Sequence, residues 1–134
     1  RVCGKDCDGM LLPAGPLLVA AQLADSNPVK KSALAYVETY EKAHGAGSTN
    51  TFGGHMWDSG QLVVAALPVA LKSGAKPGTP EFRAAMRDAL EGVKDLAVSQ
   101  GVFNMSPTDH AGFDQRSRVI VKVEGGKWVY QPGL

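Results

Sequence analysis

The sequence lacks most features that would mark a specialised class of protein. No apolar run reaches the roughly 20 residues needed to cross a bilayer. The best candidate, Leu62 to Leu71, is far shorter and contains Pro68. A surplus of either charge is missing too: 14 Lys and Arg stand against 13 Asp and Glu, and the densest basic run is Lys30-Lys31. Such a balance provides no long-range field to gather nucleic acid or an anionic membrane surface, so neither is expected as a partner. The usual catalytic signatures are also missing. There is no Gly-x-Ser-x-Gly elbow, no phosphate-loop lysine motif and no His-Glu-x-x-His pair. Gly101-Val102-Phe103-Asn104-Met105 is not a dinucleotide fingerprint. Neither an enzyme nor a cofactor is expected.

Cysteine is scarce: Cys3 and Cys7 stand alone, with three residues between them. That spacer differs from the redox C-x-x-C and from common zinc pairs, whereas in an oxidising compartment it can close a small disulfide loop. Two unpaired thiols near a chain end are the plain alternative. Arg1 in place of a starting methionine is expected of a processed or trimmed chain, so the missing leader peptide says nothing about secretion.

What is present is enough apolar material for a core: 44% of the 134 residues are hydrophobic and 20% charged, as in soluble globular domains. Residues 9–12 read as a short strand, kept short by Pro13 because proline cannot donate to a sheet ladder. An irregular connection follows. Asn27-Pro28 is a helix start, with Asn as the cap and Pro in the first turn. Val29, Ala33, Leu34, Val37 and Tyr40 then fall at helical spacing, up to a stop at Gly45. The glycine-rich stretch 45–54 reads as a loop. The next helix, about 55–73, is apolar nearly all round from Leu62, which predicts burial on most sides and a kink at Pro68. Thr79-Pro80-Glu81 starts a third, amphipathic helix. Residues 101–105 read as a strand. Val119 to Val123 and Lys127 to Tyr130, joined across Gly125-Gly126, read as a hairpin. Three helices with so few strands leave too little sheet to cover them, so the missing strands are expected in a part of the protein outside this chain.

Several segments resemble, in order, the branched-chain-amino-acid-binding family of transporter receptors. Gly9-Met10-Leu11-Leu12-Pro13 with Gly15-Pro16 resembles its "G-v-l-x-p…g-P" segment. Tyr36 to Glu41 resembles its "F…Y…Y" helix, and Met56-Trp57-Asp58-Ser59 stands where the family has "a-Y-D-A". Thr79 to Leu90 resembles its "i-r-x-A-L" helix. Gly101 to Asn104, Asp109-His110 with Gly112, and Val119 to Trp128 resemble its closing "G-v-y…D-H-x-G…v-x-v-x-d-G-k-w". Trp57 for Tyr and Ser59 for Ala are departures, so a ligand is not carried over from amino-acid binders.

The resemblance implies an α/β, type I periplasmic-binding-protein-like fold of two lobes around a ligand cleft, with only the C-terminal portion present here. It implies residues 1–24 as a hinge or crossover segment, 25–100 as the helical portion of one lobe, and 101–134 as closing strands and hairpin at the hinge or in the other lobe. The implied partners are a small-molecule ligand, the membrane permease of an ABC transporter, and the remainder of the same protein or a swapped copy. The implied location is periplasmic or secreted. A chain ending at Leu134 soon after the hairpin is expected of a free transport receptor more than of a ligand-sensing domain of the same fold. An α/β enzyme using Cys7 or His110 is the third alternative.

Four residues around the start of the second helix are candidates for ligand contact. Gly54, with Gly53, is expected to bring free amides of a helix N-terminus to an anionic group. His55 follows them. Trp57 offers an apolar wall, against simple core packing. Asp58 offers a cleft carboxylate, against a merely favourable place near the helix dipole. Asp109, His110 and Asp114 could join His55 and Asp58 around a metal. The reading preferred here is no metal, with Asp109-His110 tying a loop as Asx turns do.

Overall fold

The computed structural model describes residues 4–133. The chain enters through a short 3-10 turn at Gly4–Cys7 and then forms strand β1, Leu11–Ala14. β1 includes Pro13 and lies at the edge of a three-stranded sheet ordered β1-β4-β5. An edge is where a strand tolerates proline's missing N–H. The connection expected to be irregular is a 3-10 segment, Pro16–Gln22, interrupted at Val19. Its Leu17, Val19 and Ala20 are buried.

Helix α1 spans Pro28–His44, and the Asn27 side chain accepts from the Val29 amide at 2.9 Å. Gly45, with φ of 93°, ends it in a backbone conformation that favours glycine. Helix α3 spans Pro80–Glu91 under a Thr79 cap. β2, Leu96–Ala97, and β3, Val102–Phe103, form a two-stranded antiparallel pair. β4, Val119–Glu124, and β5, Lys127–Tyr130, are the predicted hairpin. Gly125 and Gly126 turn it at φ of 56° and 74°, the two positive values a type I′ turn requires. β1 pairs antiparallel with β4, Leu12 facing Val121.

Helix α2 departs from expectation at its start. It spans Thr51–Leu71, so residues 51–54 are helix and not loop. Asn50 is its cap, accepting from the Gly53 amide at 2.9 Å. The glycines that suggested a loop are required by packing. A Cβ on Gly53 would stand 2.3 Å from Tyr36 Oη, and one on Gly54 would stand 2.3 Å from Leu17 Cδ2. Asn50→Ala should therefore lower the stability of the intact protein by about 1 kcal/mol, the usual loss for a capping side chain, read from its urea midpoint. An unchanged midpoint would show that packing alone sets this helix start. At its other end α2 stays helical through Pro68 to Leu71.

The described residues bury three small apolar clusters. One lies between α2 and α3 with Val98, Phe103 and Met105. A second joins Leu17 and Ala20 to Val29, Ala33 and Tyr36 of α1. A third joins Val19 and Leu23 to Val121 of the sheet. α2 contributes only Ala66 and Ala70 to the core, while Phe52, Met56, Val63, Val64, Leu67, Val69 and Leu71 lie exposed. The burial on most sides predicted for this helix is absent among the described residues. Neither sheet here has more than three strands, so no sheet face is available to cover it.

Candidate functional site

The first turns of α2 stand against the loop joining β2 to β3, and the buried Asp58 fixes that junction. Asp58 is 1% exposed. Its Oδ1 accepts from the Ser99 amide at 2.8 Å and its Oδ2 from the Gln100 amide at 2.9 Å. The loop closes on itself through a bond from the Val98 amide to the Gly101 carbonyl at 2.9 Å. Ser99 Oγ reaches the Gly54 carbonyl at 3.4 Å, and Gln100 Nε2 donates to the Thr51 carbonyl at 3.2 Å. One carboxylate and two side chains thus stitch the loop to the first two turns of the helix. Burial raises the pKa of Asp58 and is the largest influence on it; the bonds from Ser99 and Gln100 and the nearby His55 oppose the rise.

Beside this junction lies a pocket of about 370 Å³, lined by Ala14, Gly15, Leu18, Thr51, His55, Gln100, Phe113 and Ser117. It gathers the end of β1, the 3-10 segment, α2, the β2–β3 loop and the stretch after Phe113. Close approach shapes it. A Cβ on Gly101 would stand 2.6 Å from Ser117 Cβ and 3.0 Å from Phe113 Cδ1. Phe113 stacks on Phe103, their ring centres 4.2 Å apart. Asp114 accepts from the Arg116 amide at 2.9 Å and from the Asn104 side chain at 3.3 Å, holding the turn that presents Ser117. The Arg116 guanidinium pulls the Asp114 carboxyl down to about 2. A larger concavity of about 910 Å³ lies between residues 4–12 and the hairpin, with Met10, Leu12, Val123 and Trp128 among its walls. Among the described residues the one buried side-chain polar atom without a partner is Gln100 Oε1, a residue of the smaller pocket.

Of the four ligand candidates, His55 lines that pocket and the others do not. The Gly53 and Gly54 amides are not free: they donate to the Asn50 side chain at 2.9 Å and to the Asn50 carbonyl at 3.1 Å. Gly54 is buried beneath Leu17 and Ser99. Trp57 is half-buried and packs on Tyr36, ring centres 5.8 Å apart. Asp58 is buried and grips the β2–β3 loop. The polar groups that sequence reasoning missed, Thr51, Gln100 and Ser117, sit in segments read as loop or left without comment.

The possible metal ligands are dispersed. Asp109 Oδ1 accepts from the Ala111 and Gly112 amides at 3.0 Å each, the loop-tying role expected of it. His110 Nε2 lies 3.0 Å from Glu91 Oε1. Among the described residues no group of three or more His, Cys, Asp or Glu is placed to hold a metal ion. Cys7 is disulfide-bonded; Cys3, expected as its partner, lies outside the described residues. No helix among the described residues is long and apolar enough to cross a membrane.

No family model and no curated protein matches the chain. Solved structures do. An extracellular ligand-binding receptor from Rhodopseudomonas palustris HaA2 is 42% identical over 98% of this chain, with a TM-score of 0.89. A second extracellular ligand-binding receptor from Rhodopseudomonas palustris is 42% identical over 98%, with a TM-score of 0.88. The protein Rp1789 of Rhodopseudomonas palustris strain CGA009 is 42% identical over 97%, with a TM-score of 0.87. In each case this chain spans 36% of the neighbour's length. Identity at this level across nearly the whole chain, joined to the α/β fold described above, places the chain with the type I periplasmic-binding-protein-like extracellular ligand-binding receptors, as a portion of one.

Proposed function

We propose that this chain is the C-terminal portion of an extracytoplasmic solute-binding receptor, the component that captures a small organic solute for an ABC transporter. The observation that carries this reading is the 42% identity, over 98% of the chain, to an extracellular ligand-binding receptor. The ligand is a small organic solute, an amino acid or an aromatic or aliphatic carboxylate, and the protein works in the periplasm or outside the cell. The pocket beside α2 is one wall of an interlobe cleft, with His55 and Gln100 among its polar groups. Residues 1–24 and 101–134 serve the hinge or the second lobe, and residues 25–100 belong to one lobe. In support, β1 and the closing hairpin share one sheet while α2 and α3 pack apart from it, with Phe103 and Met105 packed on the helices' side.

The exposed apolar residues of α2 are covered in the intact receptor by the rest of the same protein. The large exposed side chains on one helix support this, since contiguous apolar surface of that kind marks a contact site. A solute held at one hundred times its Kd should stabilise the intact receptor by about 2.7 kcal/mol and raise its melting temperature accordingly. A melting screen across amino acids and organic acids, followed by calorimetry on the hits, checks this. Turnover of a hit in product assays, or no hit at all, would defeat the receptor reading.

A further inference from the structure

We propose that Gln100 Oε1 accepts a hydrogen bond from a neutral donor on the solute, a hydroxyl or an amide N–H. The inference rests on the receptor reading above and specifies the chemistry of the same pocket. Gln100 is 3% exposed. Its amide orientation is set by Nε2, which donates to the Thr51 carbonyl at 3.2 Å; a half-turn would set two oxygens against each other. Its backbone is held by Asp58 at 2.9 Å. The side chain is therefore fixed at both ends, and the one atom it leaves unsatisfied is Oε1.

Only a residue without a Cβ, Gly15, fits beside that buried atom. A Cβ there would stand 2.2 Å from Oε1, so any larger residue would cover the oxygen or displace it. Gly15 and Gln100 are both walls of the pocket. A buried acceptor without a partner is unfavourable, and a donor arriving with the solute relieves it. The remaining walls decide the kind of donor. Ala14, Leu18 and Phe113 are apolar, and among the described residues no Asp, Glu, Lys or Arg lines the pocket. An ammonium here would find no counter-charge among the described residues, whereas a neutral hydroxyl or amide meets Oε1 without burying an unpaired charge.

The test uses calorimetry on the intact receptor with matched probes: 4-hydroxybenzoate against 4-methoxybenzoate, and L-serine against O-methyl-L-serine. In at least one pair the hydroxyl member should bind roughly ten-fold more tightly, and Gln100→Met should erase that preference. Gly15→Ala should erase it as well, by crowding Oε1 with Gln100 intact. The wild-type comparison needs no variant, so it stands if a variant fails to fold. Equal binding within both pairs, or a preference that survives in folded Gln100→Met, overturns the proposal while leaving the receptor reading in place. Binding of none of the four probes also overturns it, and the wider melting screen then judges the receptor reading alone.

Discussion

Asp58→Ala should remove about 3 kcal/mol from the stability of the intact receptor. The carboxylate accepts two backbone amides, from Ser99 and Gln100, in a buried setting. Without it both donors lose their partner, and an unsatisfied buried donor costs about 1–3 kcal/mol. Relief of the buried charge offsets part of that sum. Asp58→Asn should lose less, since it keeps one acceptor oxygen and turns an amide NH2 toward the other N–H. The pH dependence has a defined sign. Asp58 titrates higher in the fold than its ordinary 3.8 because burial disfavours the charged form. Its contribution is therefore fully present below 3.8 and declines as pH rises through the raised value. The stability of the wild type relative to Asp58→Asn should fall over that window and level off above it. Urea unfolding across a pH series checks both effects. A midpoint for Asp58→Ala matching the wild type would mean that the β2–β3 loop does not depend on this carboxylate.

Val64→Glu should destabilise the intact receptor by about 3 kcal/mol or more, as burial of an unpaired charge does. Val64 is 65% exposed among the described residues, and surface changes are ordinarily worth within about 0.5 kcal/mol. The large loss follows from the proposal that the rest of the receptor covers α2. Ala35→Glu, the same neutral-to-acid change at an exposed position of α1, is the matched control and should stay near the wild type. Equal, small effects of both substitutions on thermal unfolding would leave the α2 face open to solvent and remove the proposed cover.

Much of the fold was legible because its signals are local. Asn27-Pro28 and Thr79-Pro80 start helices with their own side chains, and Gly125-Gly126 supplies the backbone angles of a hairpin. The family resemblance was legible as well, carried by short segments in order. The start of α2 is not legible in the sequence, because Gly53 and Gly54 look like loop formers when read alone. Tyr36 and Leu17 explain them, and those residues lie far away in sequence.

The site was less legible. Of the four residues put forward, His55 alone lines the pocket. Asp58 was singled out, but its role lies 41 and 42 residues along the chain, at the Ser99 and Gln100 amides. Nothing in the spacing of a single sequence predicts a bond of that span.

The sequence by itself determined where the first and third helices begin, where the hairpin turns, and that the chain is too poor in strands to cover its own apolar helix. These follow from side chains acting on their immediate backbone and from the count of apolar residues. Only the tertiary structure decided which glycines are packing positions, that Asp58 holds a distant loop, and that Gln100 is left with an unpaired oxygen beside a pocket. Each of those depends on atoms brought within a few ångströms by the packing of separate elements, a distance that chain order does not record.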